Sequence, residues 1–181
     1  MAKTSVGLLL VKSQSKRLPN KNTLLIDGQP MWQINTKKCL VIFDKTYVSS
    51  DSDEILKQAE ELGAIPIKRS EELCGDTPNI TVYKHALQFI DADAIVAVQA
   101  NSPTIDHDII KRVKDRVEGG ISEVMTCHED CSIYGSVWGL SREKIENYDD
   151  PYNPEPTVLI VDKSIDVHDN NDYNLVIKYY E

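Results

Sequence analysis

Short apolar runs alternate with amphipathic segments along most of the chain. SVGLLLV at 5–11 is apolar at nearly every position and predicts a strand buried on both faces. PMWQINTKKCLV at 30–41 predicts a helix, with Pro30 in the first turn, where no amide donor is needed. KTYVSSD at 45–51 predicts a second strand, and DSDEILKQAEELG at 51–63 a second helix. In that helix Ile55, Leu56, Ala59 and Leu62 share one face, Asp51 and Glu54 stand at capping-box spacing, and Gly63 can end it in a left-handed conformation. AIPIK at 64–68 reads as a strand, and TPNITVYKHALQFI at 77–90 as a helix capped by Thr77 or Asp76 with Pro78 just inside. DAIVAVQ at 93–99, DHDIIKRVKDRV at 106–117 and ISEVMTC at 121–127 continue as strand, helix and strand. The remainder is less regular: YGSVWGL at 134–140, the Pro-rich DDPYNPEPT at 149–157, VLIVDKSIDVH at 158–168 and a last helix to Tyr180.

Strands alternating with helices predict an α/β protein, a Rossmann-like α/β/α sandwich with a mostly parallel sheet. A length of 181 residues predicts a single domain over 1–181 with a full core. The apolar run Val6 to Val11 is too short for a membrane span or a signal-peptide core. No membrane partner is therefore expected, and the protein is expected in the cytoplasm. Cys39, Cys74, Cys127 and Cys131 are irregularly spaced, which fits reduced thiols better than a disulfide framework.

Charge changes the picture at one place. The formal net charge is -9, yet Lys12, Lys16, Arg17 and Lys21 crowd into VKSQSKRLPNKN at 11–22. An acidic chain with one local basic cluster lacks the broad basic face that a nucleic-acid backbone needs, so the cluster points to a small anion and no nucleic-acid partner is expected. Pro19, Asn20 and Asn22 predict an irregular loop over 13–22, at the carboxyl end of the first strand, the edge where open α/β sheets bind ligands. Ser13, Ser15 and the cations there suit a polyphosphate; a solvated surface loop is the alternative of equal weight. The loop is neither a Walker A sequence nor a GxGxxG turn.

KSQSKRLPNKN at 12–22 resembles the signature of the CMP-sugar-acid synthetases, the acylneuraminate cytidylyltransferase family, roughly Arg-x-x-Ser-Lys-x-Leu/Ile-Pro-x-Lys-Asn. Further blocks follow in the family's order. VSSD and the helix after it resemble its VSTD segment, Arg69 to Thr77 its R-x-x-E-L-x-x-D-T block, VQANSP at 98–103 its LQPTSP, and SIDVHDNNDY at 164–173 its S-I-D-I-D-x-x-x-D-L ending. The resemblance implies attack by an acceptor hydroxyl, usually the anomeric hydroxyl of an acidic sugar, on the α-phosphate of CTP with release of pyrophosphate. It also implies a divalent cation, Mg2+ first and Mn2+ as the alternative, with CTP and a small anionic acceptor as partners; a homodimer stays open. By the same resemblance Lys12, Ser15 and Lys21 contact the triphosphate, Asn22 the ribose and Arg69 the cytosine. Lys16 is a further candidate at the nucleotide, and Arg17 is an adjacent cation without an assigned role. Gln99 and Ser102 are candidates on the acceptor side, and Asp166 and His168 for the metal. Lys12, Lys21 and Asp166 carry the catalytic charge.

Several positions depart from the family. Lys12 replaces its leading Arg, keeping the charge and losing the bidentate fork, and Gln14 stands where many members have Gly. Asp166-Val167-His168 replaces its Asp-x-Asp pair; imidazole suits Mn2+, Co2+ or Zn2+ better than Mg2+. Asp166 alone, or Asp169 in the place of His168, are the other readings, and His168 as a plain helix cap is a third. Only HEDCSI separates the strand at 121–127 from YGSVWGL, where the family carries a long excursion, and Tyr134 stands where it has Asn. A smaller acceptor than sialic acid follows. A catalytically silent nucleotide-binding subunit, and a nucleotidyltransferase using another NTP or a sugar phosphate, are the alternative functions. TCHEDC offers soft ligands but no fourth, which favours a polar turn over a zinc site. Asp106 and Asp108 fit a helix N-terminus, His85 a packed or surface position, and Trp32 and Trp138 the core or an interface.

Overall fold

The computed structural model describes residues 3–15 and 17–181. β1 (Ser5–Leu10) leads through the basic loop into a hairpin of β2 (Leu25–Ile26) and β3 (Gln29–Pro30). Then come α1 (Met31–Ile42), β4 (Thr46–Ser50), α2 (Asp53–Glu61), β5 (Ile65–Lys68), α3 (Asn79–Ala86), β6 (Ala94–Val98) and α4 (His107–Glu118). β7 (Glu123–Cys127), β8 (Ile133–Ser141), α5 (Arg142–Glu146), β9 (Val158–Val161) and α6 (Asn170–Tyr180) complete the chain. The larger sheet has the order β5-β4-β1-β6-β8-β7-β9. β8 runs antiparallel to both neighbours, and every other pairing is parallel.

The continuous apolar strands are covered on both faces. Along β1 and the residue that follows it, Leu9 and Val11 face one core with Trp32 of α1, Ala59 of α2 and Val113 of α4, while Val6 and Leu8 face the other with Tyr83 of α3 and Ile145 of α5. That is the expected sandwich. A third cluster joins Leu18 of the basic loop to Ile26, Met31, Ile34, Val167 and Val176. It fastens the loop to the hairpin, to α1 and to α6. Burying one such side chain is worth about 1.5–3 kcal/mol, so the loop is held by packing as well as by polar contacts.

Local chemistry sets several element ends differently from the sequence expectation. Ser52 is the N-cap of α2, accepting from the Ile55 amide, because the Asp51 carboxylate is drawn away to Ser13. Pro78 precedes α3, which stops at Ala86; 87–89 form turns, and Leu87 and Ile90 are still buried. β9 ends at Val161, so most of VLIVDKSIDVH is irregular. Lys21–Thr23 form one 3-10 turn that closes the loop expected over 13–22. The β2–β3 hairpin and α5 were not expected: the hairpin turns on Asp27 and Gly28, both at positive φ, and α5 is capped by Ser141 accepting from the Lys144 amide. Asp106 caps α4 as the sequence indicated, and Trp32 and Trp138 are core residues. His85 is half-buried against Phe89.

At the end of the sheet away from the carboxyl ends of the parallel strands, the fully buried Glu123 of β7 accepts from Trp138 Nε1 (3.0 Å) and Tyr148 Oη (2.6 Å) and pairs with Lys144 Nζ (3.3 Å). Such a network pins α5 and the segment after it to the sheet. Among the described residues no helix is long and apolar enough to cross a membrane.

Candidate active site

A cleft of about 430 Å³ opens at the carboxyl ends of β1 and β6. The chain runs outward from β1 to β4 and β5 and returns on the other side as β6, so the cleft lies at the switch point of the sheet. Lys12, Ser15, Arg17, Lys21 and Asn22 line it from the basic loop, Arg69 and Cys74 to Thr77 from the segment after β5, and Gln99 to Asn101 from the segment after β6. Asp166 and His168 close it from the approach to α6.

The loop owes its course to three anchors besides Leu18. Ser13 donates its amide (2.8 Å) and its hydroxyl to the Asp51 carboxylate. Burial alone would raise the Asp51 pKa, but these hydrogen bonds hold it below the ordinary carboxylate value. Asn22 Nδ2 donates to the Lys12 carbonyl (3.0 Å), crossing the loop at its base. Ser13 is thus a structural residue bound to Asp51, while Ser15 lines the cleft. Lys16 lies outside the described residues. The Lys21 pKa is lowered, first by burial and then by the neighbouring Lys12 and Arg17, with Asp166 and Asp172 opposing. The half-buried Lys21 and the exposed Lys12 and Arg17 share one wall and repel one another unless an anion sits among them.

Arg69 is 4% exposed, and its Nε and one terminal nitrogen have no hydrogen-bond partner. Its amide donates to the Ser50 carbonyl (2.9 Å), which fixes the backbone while the guanidinium faces the cleft. Burial lowers the Arg69 pKa, with Cys74 and Asp51 opposing. A buried guanidinium with open N–H groups is costly unless a ligand accepts from it.

Asp166 accepts from Asn101 Nδ2 on one oxygen and from His168 Nε2 (2.6 Å) on the other. Arg17 lies 3.1 Å from His168 Nδ1. Because a guanidinium only donates, Nδ1 accepts and the imidazole proton lies on Nε2, pointing at Asp166. Burial raises the Asp166 pKa, with His168 and Lys21 opposing. The two side chains converge although 162–169 is not a strand. Asp169 is committed elsewhere: it caps α6 in a reciprocal capping box with Asp172. The helix cap is therefore Asp169 and not His168, and Asp169 does not line the cleft.

The acceptor-side candidates separate. Gln99 lines the cleft and donates to the Gly135 carbonyl (3.1 Å). Ser102 is fully buried, shares a hydrogen bond with Tyr134 Oη (2.9 Å) and does not line the cleft. Tyr134 stacks on His128, with ring centroids 4.8 Å apart, and burial pushes its hydroxyl pKa up to about 12. The sequence pattern gave Asn35 and Asn101 no role, and gave Asp51 only that of a helix cap. Asn35 is fully buried and donates to the carbonyls of Gln99 (2.8 Å) and Ser102 (2.9 Å), clamping the loop after β6. A polar residue amid the apolar face of α1 was the available signal. Among the described residues no cluster of three or more His, Cys, Asp or Glu side chains could hold a metal ion, at TCHEDC or elsewhere.

Residues 6–170 match the family model described as Cytidylyltransferase. The 3-deoxy-manno-octulosonate cytidylyltransferase of Colwellia psychrerythraea is 27% identical over 159 residues, which are 87% of this chain and 54% of that protein. The chain spans about half the length, or less, of the curated relatives it matches. In fold it is similar to CMP:2-keto-3-deoxy-manno-octonic acid synthetase complexed with CTP, at TM-score 0.78 and 14% identity, covering 97% of this chain and 98% of that one. It is likewise similar to the Rv0371c protein of Mycobacterium tuberculosis in complex with manganese, at TM-score 0.73 and 15% identity, covering 97% and 98%.

Proposed function

This chain belongs to the cytidylyltransferase family, and from that premise we propose that it transfers CMP from CTP to a hydroxyl-bearing, anionic acceptor of the sugar-acid kind, releasing pyrophosphate. The observation that carries the proposal is Arg69, a buried guanidinium with unpartnered N–H groups, in one cleft with Lys12 and Lys21. A pair of donors suits the O2 and N3 acceptors of cytosine and mismatches uracil, whose N3 is itself a donor. In this reading Lys12, Lys21 and Ser15 bind the triphosphate, with Lys16 beside them, and Asn22 serves the ribose. Ser102 acts on the acceptor side only through Tyr134, while Gln99 reaches the acceptor directly. The displacement needs positioning and charge neutralisation, which two lysines at the phosphates supply without covalent help. The whole of 1–181 is read as one catalytic domain working in the cytoplasm.

The residues fit a divalent cation of modest demand. Mg2+ keeps water and phosphate oxygens around one or two protein ligands, so Asp166 with His168 suffices, and Mn2+ accepts the imidazole more readily. When bound, the ion would draw charge from the triphosphate oxygens. Ligation through His168 Nε2 requires its proton to leave or move to Nδ1, which Arg17 now occupies as donor. The same contact favours a second reading, a nucleotide-binding subunit without turnover. Pyrophosphate release with CTP and a panel of sugar acids, in Mg2+ and in Mn2+, tests the proposal. CTP binding without pyrophosphate from any acceptor would leave the second reading.

A further inference from the structure

The turn between β7 and β8 carries a cysteine pair that the cleft does not use. Cys127 is the last residue of β7, 1% exposed, and Cys131 is exposed four residues later. The turn folds back on itself: the His128 amide donates to the Ser132 carbonyl (2.9 Å) and the Cys131 amide to the His128 carbonyl (3.0 Å). Asp130 Oδ1 fixes its tip by accepting from the Ser132 amide (2.9 Å) and hydroxyl (2.6 Å). Cys131 is held at φ 66°, a left-handed conformation that non-glycine residues adopt at a cost. The Cys127 pKa is raised, by burial and then by the Cys131 thiol and the Asp130 carboxylate, with a hydrogen bond to Cys131 contributing. The tight turn therefore brings the chain at Cys131 back beside the end of β7, where Cys127 pairs with Ile133, and the two thiols are near enough to influence each other.

We propose that Cys127 and Cys131 form a reversible oxidation site, with exposed Cys131 as the attacking thiol, buried Cys127 as the resolving thiol and a neutral peroxide as oxidant. The Cys131 thiolate attacks one peroxide oxygen, the O–O bond breaks, and the departing hydroxide takes a proton to leave as water. Cys127 then attacks the Cys131 sulfenic sulfur, the S–S bond forms, and the hydroxyl leaves with the Cys127 proton as a second water. Two thiols and hydrogen peroxide become one disulfide and two waters. Cys39, buried in the core, lacks the exposure of Cys131, and Cys74 keeps its Sγ on the Ser70 carbonyl (3.3 Å). Glu129 and Asp130 beside the pair disfavour an anionic disulfide such as oxidised glutathione.

The test treats the reduced, full chain with a few equivalents of hydrogen peroxide at neutral pH, followed by intact mass and by mapping of alkylated peptides. The expected result is loss of two hydrogens and one peptide bridged between Cys127 and Cys131, both reversed by dithiothreitol. Cys131→Ser, at an exposed position that leaves the core untouched, should abolish the loss. Cys127→Ser should stop at a dimedone-trappable sulfenic acid on Cys131. Oxygen added at Cys131 without a bridge in the unsubstituted chain would overturn the proposal. So would a bridge that engages Cys39 or Cys74, a Cys131 link between two chains, or thiols left unchanged.

Discussion

In the proposed function, single side chains decide whether the cleft holds a triphosphate. Lys21→Met removes a half-buried cation from the wall it shares with Lys12 and Arg17. Loss of one preorganised donor to developing phosphate charge costs about 2–4 kcal/mol, so kcat/KM for CTP should fall by roughly 30- to 1,000-fold in steady-state assays. The fold should not suffer. Burial depresses the Lys21 pKa in the folded state, so below 10.5 the unfolded chain binds more protons there, and wild-type stability gains with rising pH in that window. Urea titrations from neutral pH toward 10.5 should show the wild type gaining stability relative to Lys21→Met; a difference that shrinks as pH rises would refute the burial argument. Lys12→Arg restores the planar fork and should tighten CTP binding in calorimetry.

At the scale of elements, Gly139 and Asn35 show how packing positions chemistry. A Cβ on Gly139 of β8 would lie 2.6 Å from Val113 Cγ1 and 2.8 Å from Val117 Cγ1, so α4 sits on the sheet only because that side chain is absent. Gly139→Ala should destabilise by about 1–3 kcal/mol, read as a lower urea midpoint at unchanged slope. Asn35→Leu removes two buried hydrogen bonds, leaving the Gln99 and Ser102 carbonyls only the amides of Ser102 and Ile105, and should cost about 1–3 kcal/mol while raising the KM for acceptor more than that for CTP. The strands and the amphipathic helices were legible because their periodicity reports burial directly: Ile55 and Ala59 of α2 are core residues as their spacing required. The ends were not, because long-range partners compete for the same groups. Asp51 has the spacing of a cap but is taken by Ser13, 38 positions earlier, leaving Ser52 to cap α2. The basic loop was recognisable from its residue types, yet that Ser15 faces the cleft while Ser13 faces away depends on the Asp51 contact, which no local pattern contains. Asn101 was hidden for the same reason: its partner, Asp166, is 65 residues away.

For the whole molecule, the cleft is where segments from every part of the chain meet. The loop after β1, the segment after β5, the turn after β6 and the approach to α6 each contribute side chains, and only a folded protein brings Lys21, Arg69 and Asp166 together. CTP that binds this assembly and not the unfolded chain must stabilise the fold by mass action, about 2.7 kcal/mol at a hundredfold excess over Kd. Thermal unfolding with each of the four NTPs, first with Mg2+ and then with Mn2+, should therefore give a rise in midpoint largest for CTP. UTP should trail it, because the Arg69 donors meet an N–H at N3 instead of an acceptor. Arg69→Met should remove the preference for CTP while retaining part of the shift, since in the proposed assignment Lys12, Lys21 and Ser15 still hold the triphosphate. Equal midpoints for CTP and UTP in the unsubstituted chain would sink the assignment of Arg69 to the base, while a CTP shift lost wholly in Lys21→Met would leave the phosphate assignment standing. A larger CTP shift in Mn2+ than in Mg2+ is the expected mark of the imidazole at position 168, and His168→Asp should reverse that order by restoring the oxygen ligand that Mg2+ prefers.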